Sequence, residues 1–179
     1  MIHDREVLDR LDGFPKETFS GHAFRTTRQS LDPLVSSTSG GRWMPNGVAA
    51  VLYTSLQREG SLAEISFHWS QLSPRPTKPA VVHTLGVIAH RTLKLVRADL
   101  SALGVPDDVY LTMNLTRTQK IGAAVEFLGC DGLIAPSARW PCDNLMLFPN
   151  SMGDSTSLEL LSSENVDWVR WATDQGLLK

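Results

Sequence analysis

Cysteine is scarce in this sequence of 179 residues, and its two thiols, Cys130 and Cys142, exclude a scaffold stapled by several disulfides. We interpret both as free thiols in a reducing cytosol. The five histidines show no metal-ligand spacing, so we predict no metal site. The longest apolar run, residues 48–53, is far shorter than the roughly 20 residues of a membrane helix. The charged N-terminus lacks the apolar core of a secretory signal. These absences predict a soluble, cytoplasmic protein without a membrane span.

Excess charge of either sign is also missing. The chain carries 17 Lys and Arg residues against 19 Asp and Glu residues, a net charge of −2, which argues against a dedicated nucleic-acid binder. It contains no G-x-G-x-x-G and no P-loop, the two commonest phosphate-cradling motifs. It also lacks the G-x-S-x-G nucleophile elbow of serine hydrolases. With 42% hydrophobic and 20% charged residues the composition is globular, and the length predicts one domain over residues 1–179.

Hydrophobic periodicity predicts helices and strands that alternate without a regular βαβ repeat. Such a mixture favours an α+β fold, with a mixed or antiparallel sheet flanked by helices, over a doubly wound parallel sheet. Residues 26–47 are rich in Ser, Thr, Gly and Pro, and long connections of this kind are usually functional. We predict helices at 2–12, 57–70 and 118–128, strands at 18–25, 48–54, 80–90, 92–96, 132–136 and 144–148, a turn at 105–108, and a weaker strand and short helix within 160–179.

A glycine pair followed by an arginine lies in the long connection. Gly40 and Gly41 allow the backbone to adopt a positive φ and to come close to a ligand. The guanidinium of Arg42 is the preferred bidentate partner of phosphate oxygens. The combination suits a pyrophosphate. The alternative is a tight surface turn with a solvated arginine, and these residues alone leave both interpretations open.

Three further polar residues lie beside predicted apolar elements. The ring of Tyr53 can stack on a flat heterocycle while its hydroxyl stays in water, or it can be an ordinary tyrosine at the edge of the core. Glu64 borders the apolar stripe of the helix at 57–70, where a carboxylate is costly unless it is paired or used. The alternative is an exposed helix glutamate. Ser137 follows a strand, which by itself carries no information.

The order of these motifs resembles the RES-domain family, bacterial toxins named for an Arg, a Glu and a Ser. The matching segments are Gly-Gly-Arg-Trp-x-Pro-x-Gly, Leu-Tyr-Thr-Ser, Leu-Ala-Glu, Pro-Ser-Ala-Arg and Asn-Leu-x-Leu-Phe, and the match spans about residues 24–148. One departure is Met44, where the family often has Asn. The resemblance implies a named trio of Arg42, Glu64 and Ser137, with Tyr53 and Arg25 as further residues of the pocket.

The same resemblance implies a fold similar to that of ADP-ribosyltransferases, and NAD as the substrate with no prosthetic group. Members of the family degrade NAD by hydrolysis or phosphorolysis, or transfer its ADP-ribose to a protein. Each is usually encoded beside an Xre-like antitoxin that binds the toxin and blocks its pocket. We therefore expect Glu64, Arg42 and Tyr53 to act in catalysis. The residues expected to bind NAD are Arg25, Gly40, Gly41, Arg42, Tyr53 and Ser137.

Three functions follow as hypotheses. The leading one is a toxin that cleaves the nicotinamide–ribose bond of NAD. The second is an ADP-ribosyltransferase that modifies a specific host protein, and it uses the same pocket. The third is a non-catalytic module that senses a nucleotide, and the presence of Arg42, Tyr53 and Glu64 together argues against it.

Overall fold

Six helices and six strands follow one another along residues 3–178, the part of the chain that the computed structural model describes. Their mixture confirms the predicted α+β class. None of the helices in this range is long and apolar enough to cross a membrane. In chain order the elements are α1 (Arg5–Asp12), β1 (Lys16–Arg28), β2 (Leu52–Ser55), α2 (Arg58–Ser70), β3 (Ala80–Lys94), α3 (Arg97–Ala102), α4 (Asp107–Tyr110), α5 (Thr116–Phe127), β4 (Gly132–Pro136), β5 (Asp143–Leu147), β6 (Ser157–Val166) and α6 (Trp168–Asp174).

The longest strand, β3, organises the sheet. One of its edges pairs antiparallel with β1 along almost the whole strand. Its other edge is shared by β6, which lies antiparallel to residues 80–88, and by β4, which runs parallel to residues 92–94. β5 lies between β4 and β2, and β2 reaches β1 through the pair Phe24 and Ser55. The strands β1, β2, β5, β4 and β3 therefore close into a ring, and β6 lies outside it.

The helix α5 buries the face that its periodicity predicted. Ile121, Ala124 and Val125 are fully buried, and they share one core cluster with Leu133 of β4 and Met146 of β5. Burial of apolar side chains contributes roughly 1.5–3 kcal/mol for each large residue. This cluster therefore holds α5 firmly against the sheet.

The helix α2 packs on β1 and α6. Its buried Trp69 meets Trp168 edge to face, with ring centroids 5.3 Å apart. Nearer its N-terminus, the hydroxyls of Ser61 and Thr26 of β1 hydrogen-bond at 2.8 Å. These contacts at both ends fix the helix relative to the sheet, so a side chain on its remaining face has a defined direction.

Two predicted strand patterns are wrong. The strands expected at 80–90 and 92–96 form one continuous β3, because a bulge at His90 and Arg91 absorbs the irregularity without ending the strand. The N–H groups of these two residues donate to a carboxylate oxygen of Asp131, at 2.8 and 3.0 Å. The strand expected at 48–54 is reduced to β2, since the apolar residues that precede it pack into the core from a loop.

The helices also differ from the predictions, by one or two residues at the ends of α2 and α5 and by more near α1, α3 and α4. The first helix begins at Arg5, where the carboxylate of Asp4 accepts from the N–H groups of its first turn; residue 2, where we expected it to begin, lies outside the described residues. α3 was not predicted, because only Leu100 of its six residues is buried and the periodic signal is weak. The turn expected at 105–108 is wrong in its second half, because Asp107 and Asp108 form the start of the short helix α4.

Gly122 lets α5 lie directly against the loop that follows Gly40. A Cβ at this position would overlap the carbonyl oxygen of Trp43 and lie 2.7 Å from its carbonyl carbon. On the same face of the helix, Gln119 donates from Nε2 to the carbonyl oxygen of Gly41 at 3.0 Å. The backbone of residues 41–43 is thus held by a helix that is itself fixed in the core.

We expect Gly122→Ala to destabilise the protein by roughly 1–3 kcal/mol, because the added methyl group forces α5 away from Trp43. Glycine-to-alanine changes inside a helix ordinarily stabilise it by up to about 1 kcal/mol, so the sign of the effect is diagnostic. Urea unfolding measures it. The control is Gly13→Ala, where the new methyl group makes an ordinary contact of 3.5 Å with the backbone. A Gly122→Ala protein as stable as the wild type contradicts the close packing.

Candidate active site

A cavity of about 370 Å³ lies between α2, the strands β1, β2 and β5, and the loops at 37–43 and 113–115. Its volume is in the range of small-molecule sites. Ser137 does not line it, although the side chain was predicted to bind the substrate. The other predicted residues all line it: Arg25, Gly40, Gly41, Arg42, Tyr53 and Glu64.

The carboxylate of Glu64 is held by two neutral donors. The Ser137 hydroxyl donates to Oε1 at 2.7 Å, and Nδ2 of Asn144 donates to the same oxygen at 2.8 Å. Within residues 3–178, no hydrogen bond reaches Oε2. One oxygen of the carboxylate is therefore used by the protein, and the other is available to a ligand in the cavity.

Ser137 is buried in the turn that follows β4. Its Oγ accepts hydrogen bonds from the backbone N–H groups of Arg139, at 3.0 Å, and Trp140, at 3.2 Å. Because two donors already occupy the oxygen, its own proton points to Glu64. The side chain expected to contact the substrate is thus engaged with the carboxylate that lines the cavity.

Gly60 brings the first turn of α2 close to this network. A Cβ on Gly60 would overlap Oγ of Ser55 and Sγ of Cys142, which lie 3.3 Å from each other. A larger residue there would either displace the Ser55 hydroxyl and the Cys142 thiol or push the helix outward, away from the end of β4. Close approach of the helix is therefore a condition for the hydrogen bonds to Oε1.

The guanidinium of Arg42 points along the cavity wall to the segment 110–113. Nη1 donates to the carbonyl oxygen of Tyr110 at 2.8 Å, and Nη2 donates to that of Thr112 at 3.1 Å. The guanidinium carbon also lies 4.9 Å from the centroid of the Tyr110 ring, within the range of cation–π contacts. Arg42 is therefore not the solvated arginine of a surface turn.

Two more arginines line the cavity. Arg25 donates from Nη1 to the carbonyl oxygens of Pro33 and Val35, at 2.9 and 2.8 Å. Arg139 donates from Nη1 to the carbonyl oxygen of Leu111 at 3.2 Å. Its guanidinium carbon lies 3.5 Å from the centroid of the Phe67 ring. All three cavity arginines (Arg25, Arg42 and Arg139) are thus oriented by neutral groups.

None of the cavity arginines forms an ion pair with a carboxylate of the described residues. Burial lowers the pKa of each guanidinium, which reports that the positive charges are partly desolvated. Desolvated cations without anionic partners favour an anionic ligand. The cavity therefore combines three positive charges with the single carboxylate of Glu64.

Tyr53 lines the cavity, but its hydroxyl does not stay in water as the sequence suggested. The oxygen accepts from the backbone N–H of Trp43 at 3.3 Å, and burial raises the pKa of Tyr53 to about 12. A Cβ at Gly41 would lie 2.7 Å from this hydroxyl oxygen. Gly41 therefore makes room for Tyr53, while Gly40 supplies the positive φ, +78°, that the turn requires.

Sequence reasoning missed several residues of the cavity. Phe67 and His68 follow Glu64 on α2, and burial lowers the pKa of His68, which favours its neutral ring. The donors to Glu64 are Ser137 and Asn144, and His68 is not among them. Asn144 carried a signal that could have found it, since it is an amide in an apolar strand.

The family model described as RES domain matches residues 17–168. The crystal structure of the M. tuberculosis MbcT–MbcA toxin–antitoxin complex contains a chain similar to this one, with a TM-score of 0.78 and 18% sequence identity. The match covers 95% of this chain and 97% of that chain. No curated protein matches the sequence. At this identity the structural likeness establishes the fold.

We expect Arg42→Lys to loosen the segment 110–113, because an ammonium cannot make the two forked bonds of a guanidinium. Hydrogen bonds to a charged group contribute roughly 1.5–3 kcal/mol, so amide hydrogen exchange in this segment should accelerate at least about tenfold. Exchange measured by mass spectrometry tests this. The matched control is Arg5→Lys, whose side chain is 91% exposed. Unchanged exchange at 110–113 would show that the contacts to Tyr110 and Thr112 do not hold the segment.

Proposed function

The chain belongs to the RES domain family, and on that premise we propose that it cleaves the nicotinamide–ribose bond of NAD. The observation that carries the proposal is the charge arrangement of the cavity. Three arginines that form no ion pair within residues 3–178 share it with one carboxylate, whose Oε1 is fixed by Ser137 and Asn144. NAD carries the complementary pattern, with a negative pyrophosphate and a positively charged nicotinamide ring.

The arginines bind the pyrophosphate. A guanidinium has five N–H donors, and the contacts with backbone carbonyls use only two of them in Arg25 and two in Arg42. In the part of the chain that the structure describes, the remaining donors have no hydrogen-bond partner and are available to phosphate oxygens, and the side chains are already oriented before the ligand arrives. Preorganised donors in a partly desolvated site interact more strongly with an anion than mobile surface arginines do.

Glu64 stabilises the reaction centre. As the bond between the ribose and nicotinamide breaks, its electron pair leaves with the nicotinamide, which departs as a neutral molecule. Positive charge then develops on the ribose, as in glycoside hydrolysis. The free Oε2 of Glu64 accepts a hydrogen bond from a ribose hydroxyl, and the negative carboxylate stabilises the positive charge on the ribose. Water, which loses a proton, or phosphate then captures the ribose carbon.

Tyr53 holds the flat ring of the nicotinamide by stacking. The hydrogen bond from Trp43 to its hydroxyl fixes the aromatic ring in the wall of the cavity. Because the ring is already fixed, Tyr53 orients the leaving group without losing side-chain conformational entropy when NAD binds. Gly41 keeps this arrangement possible, because any side chain there would displace the phenol.

We extend the proposal to a biological role as the toxin of a toxin–antitoxin pair. The support is family membership together with the fold shared with a chain of the MbcT–MbcA toxin–antitoxin complex. An Xre-like antitoxin covers the mouth of the cavity and presents a carboxylate to the arginines, in the place of a phosphate. ADP-ribose transfer to a host protein is the alternative outcome, since it uses the same bond cleavage with a different acceptor.

Mass spectrometry of NAD incubated with the pure protein tests the reaction. Free ADP-ribose and nicotinamide indicate hydrolysis, and ADP-ribose 1″-phosphate formed only with added phosphate indicates phosphorolysis. A protein that gains the mass of ADP-ribose in cell extract indicates transfer. Intact NAD under all three conditions overturns the proposal.

We expect Glu64→Gln to lower kcat by roughly 10²–10³, with a smaller effect on KM, because the lost charge matters most as the ribose becomes positive. The amide oxygen can still accept from Ser137 and Asn144, so the fold is preserved while a neutral NH₂ group replaces Oε2. Steady-state kinetics and the growth of cells expressing the variant measure the effect.

The matched control for this variant is Glu59→Gln, the same change on the same helix outside the cavity. It should keep full activity and full toxicity. A Glu64→Gln protein that consumes NAD as fast as the wild type would show that Glu64 is a structural helix residue.

A further inference from the structure

We propose that Asn144 is a positioning residue for Glu64, a role that rests on the proposed function of the glutamate. The amide Nδ2 donates to Oε1 at 2.8 Å, across 80 positions of sequence. Neither the substrate class nor the charge of the cavity requires an amide at this place. Its effect is to fix the orientation of the carboxylate, with one oxygen held by the protein and the other left to the ligand.

The two donors to Oε1 divide the carboxylate into a bound half and a free half. Ser137 cannot turn its proton elsewhere, because its oxygen already accepts from two backbone N–H groups. With Asn144 on the same oxygen, rotation of the carboxylate breaks two hydrogen bonds at once. Oε2 is therefore held towards the ribose, because any other orientation of the carboxylate loses both hydrogen bonds to Oε1.

The carbonyl end of the Asn144 side chain indicates that this residue serves as a hydrogen-bond donor to Glu64. Its Oδ1 is buried and has no hydrogen-bond partner within the described residues. A buried unsatisfied carbonyl is unfavourable, so an amide with a purely structural role is expected to use both ends. Turning the amide over would place Oδ1 against the carboxylate of Glu64. The observed orientation is the one that serves the glutamate.

The amide is also carried by a rigid element. Asn144 lies in β5, which is paired on both sides, with Ser55 of β2 as one neighbour and Ala135 of β4 as the other. Functional groups on central strands are held more closely than groups on loops. The sheet therefore fixes the position of the Asn144 amide, and the amide in turn fixes the carboxylate of Glu64 on α2.

The test begins with two variants of Asn144. Asn144→Ala removes the donor, and Asn144→Asp replaces it with a second carboxylate beside Glu64. We expect kcat for NAD to fall roughly tenfold to a hundredfold in both, while KM changes by less than about threefold, because the misplaced charge acts mainly in the transition state. Circular dichroism establishes that each variant is folded.

A double-mutant cycle supplies a readout that does not depend on NAD. Asn144→Asp should lower the Tm, because two carboxylates then face each other. Adding Glu64→Gln should recover most of that Tm loss, since a neutral amide now faces the carboxylate, but it should not recover turnover. Additive effects of the two changes on Tm would overturn the direct contact.

The surface change Asn165→Asp controls for the added charge, because Asn165 is exposed in β6, outside the cavity. It should leave kcat unchanged. If the wild type consumes NAD and Asn144→Ala keeps its kcat within about twofold, the positioning role is wrong while the proposed function stands. If the wild type leaves NAD intact, the proposed function fails and the role of Asn144 in that reaction fails with it.

Discussion

The hydrogen bonds to a single oxygen of Glu64 are the contacts on which the site depends. They join three parts of the chain that are distant in sequence, because Glu64 lies on α2, Ser137 follows β4 and Asn144 is the second residue of β5. A carboxylate at the edge of the core is unfavourable without such partners. The rest of the local structure follows from satisfying it: α2 must come close to the sheet, and Gly60 is the residue that permits this approach.

The cavity separates its charges instead of pairing them. Backbone carbonyls orient the guanidinium groups of Arg25 and Arg42, and neutral donors orient the carboxylate of Glu64. Had the arginines paired with the glutamate, the charges would have satisfied each other and left little for a ligand. Neutral partners keep the charges in place and leave their fields available to a molecule with a negative and a positive end. The hydrogen bonds of Arg42 also hold the segment 110–113 in place beside the cavity.

Much of the fold could be read from periodicity because the signals were local. The buried face of α5 and the apolar strand β4 were predicted closely, since each pattern lies within a short stretch of chain. The continuity of β3 was not, because the side chain that satisfies its bulge is Asp131, about 40 positions away. The length of β2 was overestimated for a related reason. Apolar residues before it are buried in the same core cluster as α5, and a loop can supply such residues to a core as well as a strand can.

The sequence, through the resemblance of its motifs to the RES family, predicted a pocket of seven residues, and all of them except Ser137 line one cavity: Arg25, Gly40, Gly41, Arg42, Tyr53 and Glu64. The tertiary structure alone decided what each of them touches. Ser137 donates to Glu64 from 73 positions away, and Gly41 makes room for the ring of Tyr53. Arg139 and Asn144 lie in the matching motifs Pro-Ser-Ala-Arg and Asn-Leu-x-Leu-Phe, but only folding brings their side chains to Phe67 and Glu64. Hydrogen bonds between remote residues depend on the distance between elements, and no local pattern of residue types encodes that distance.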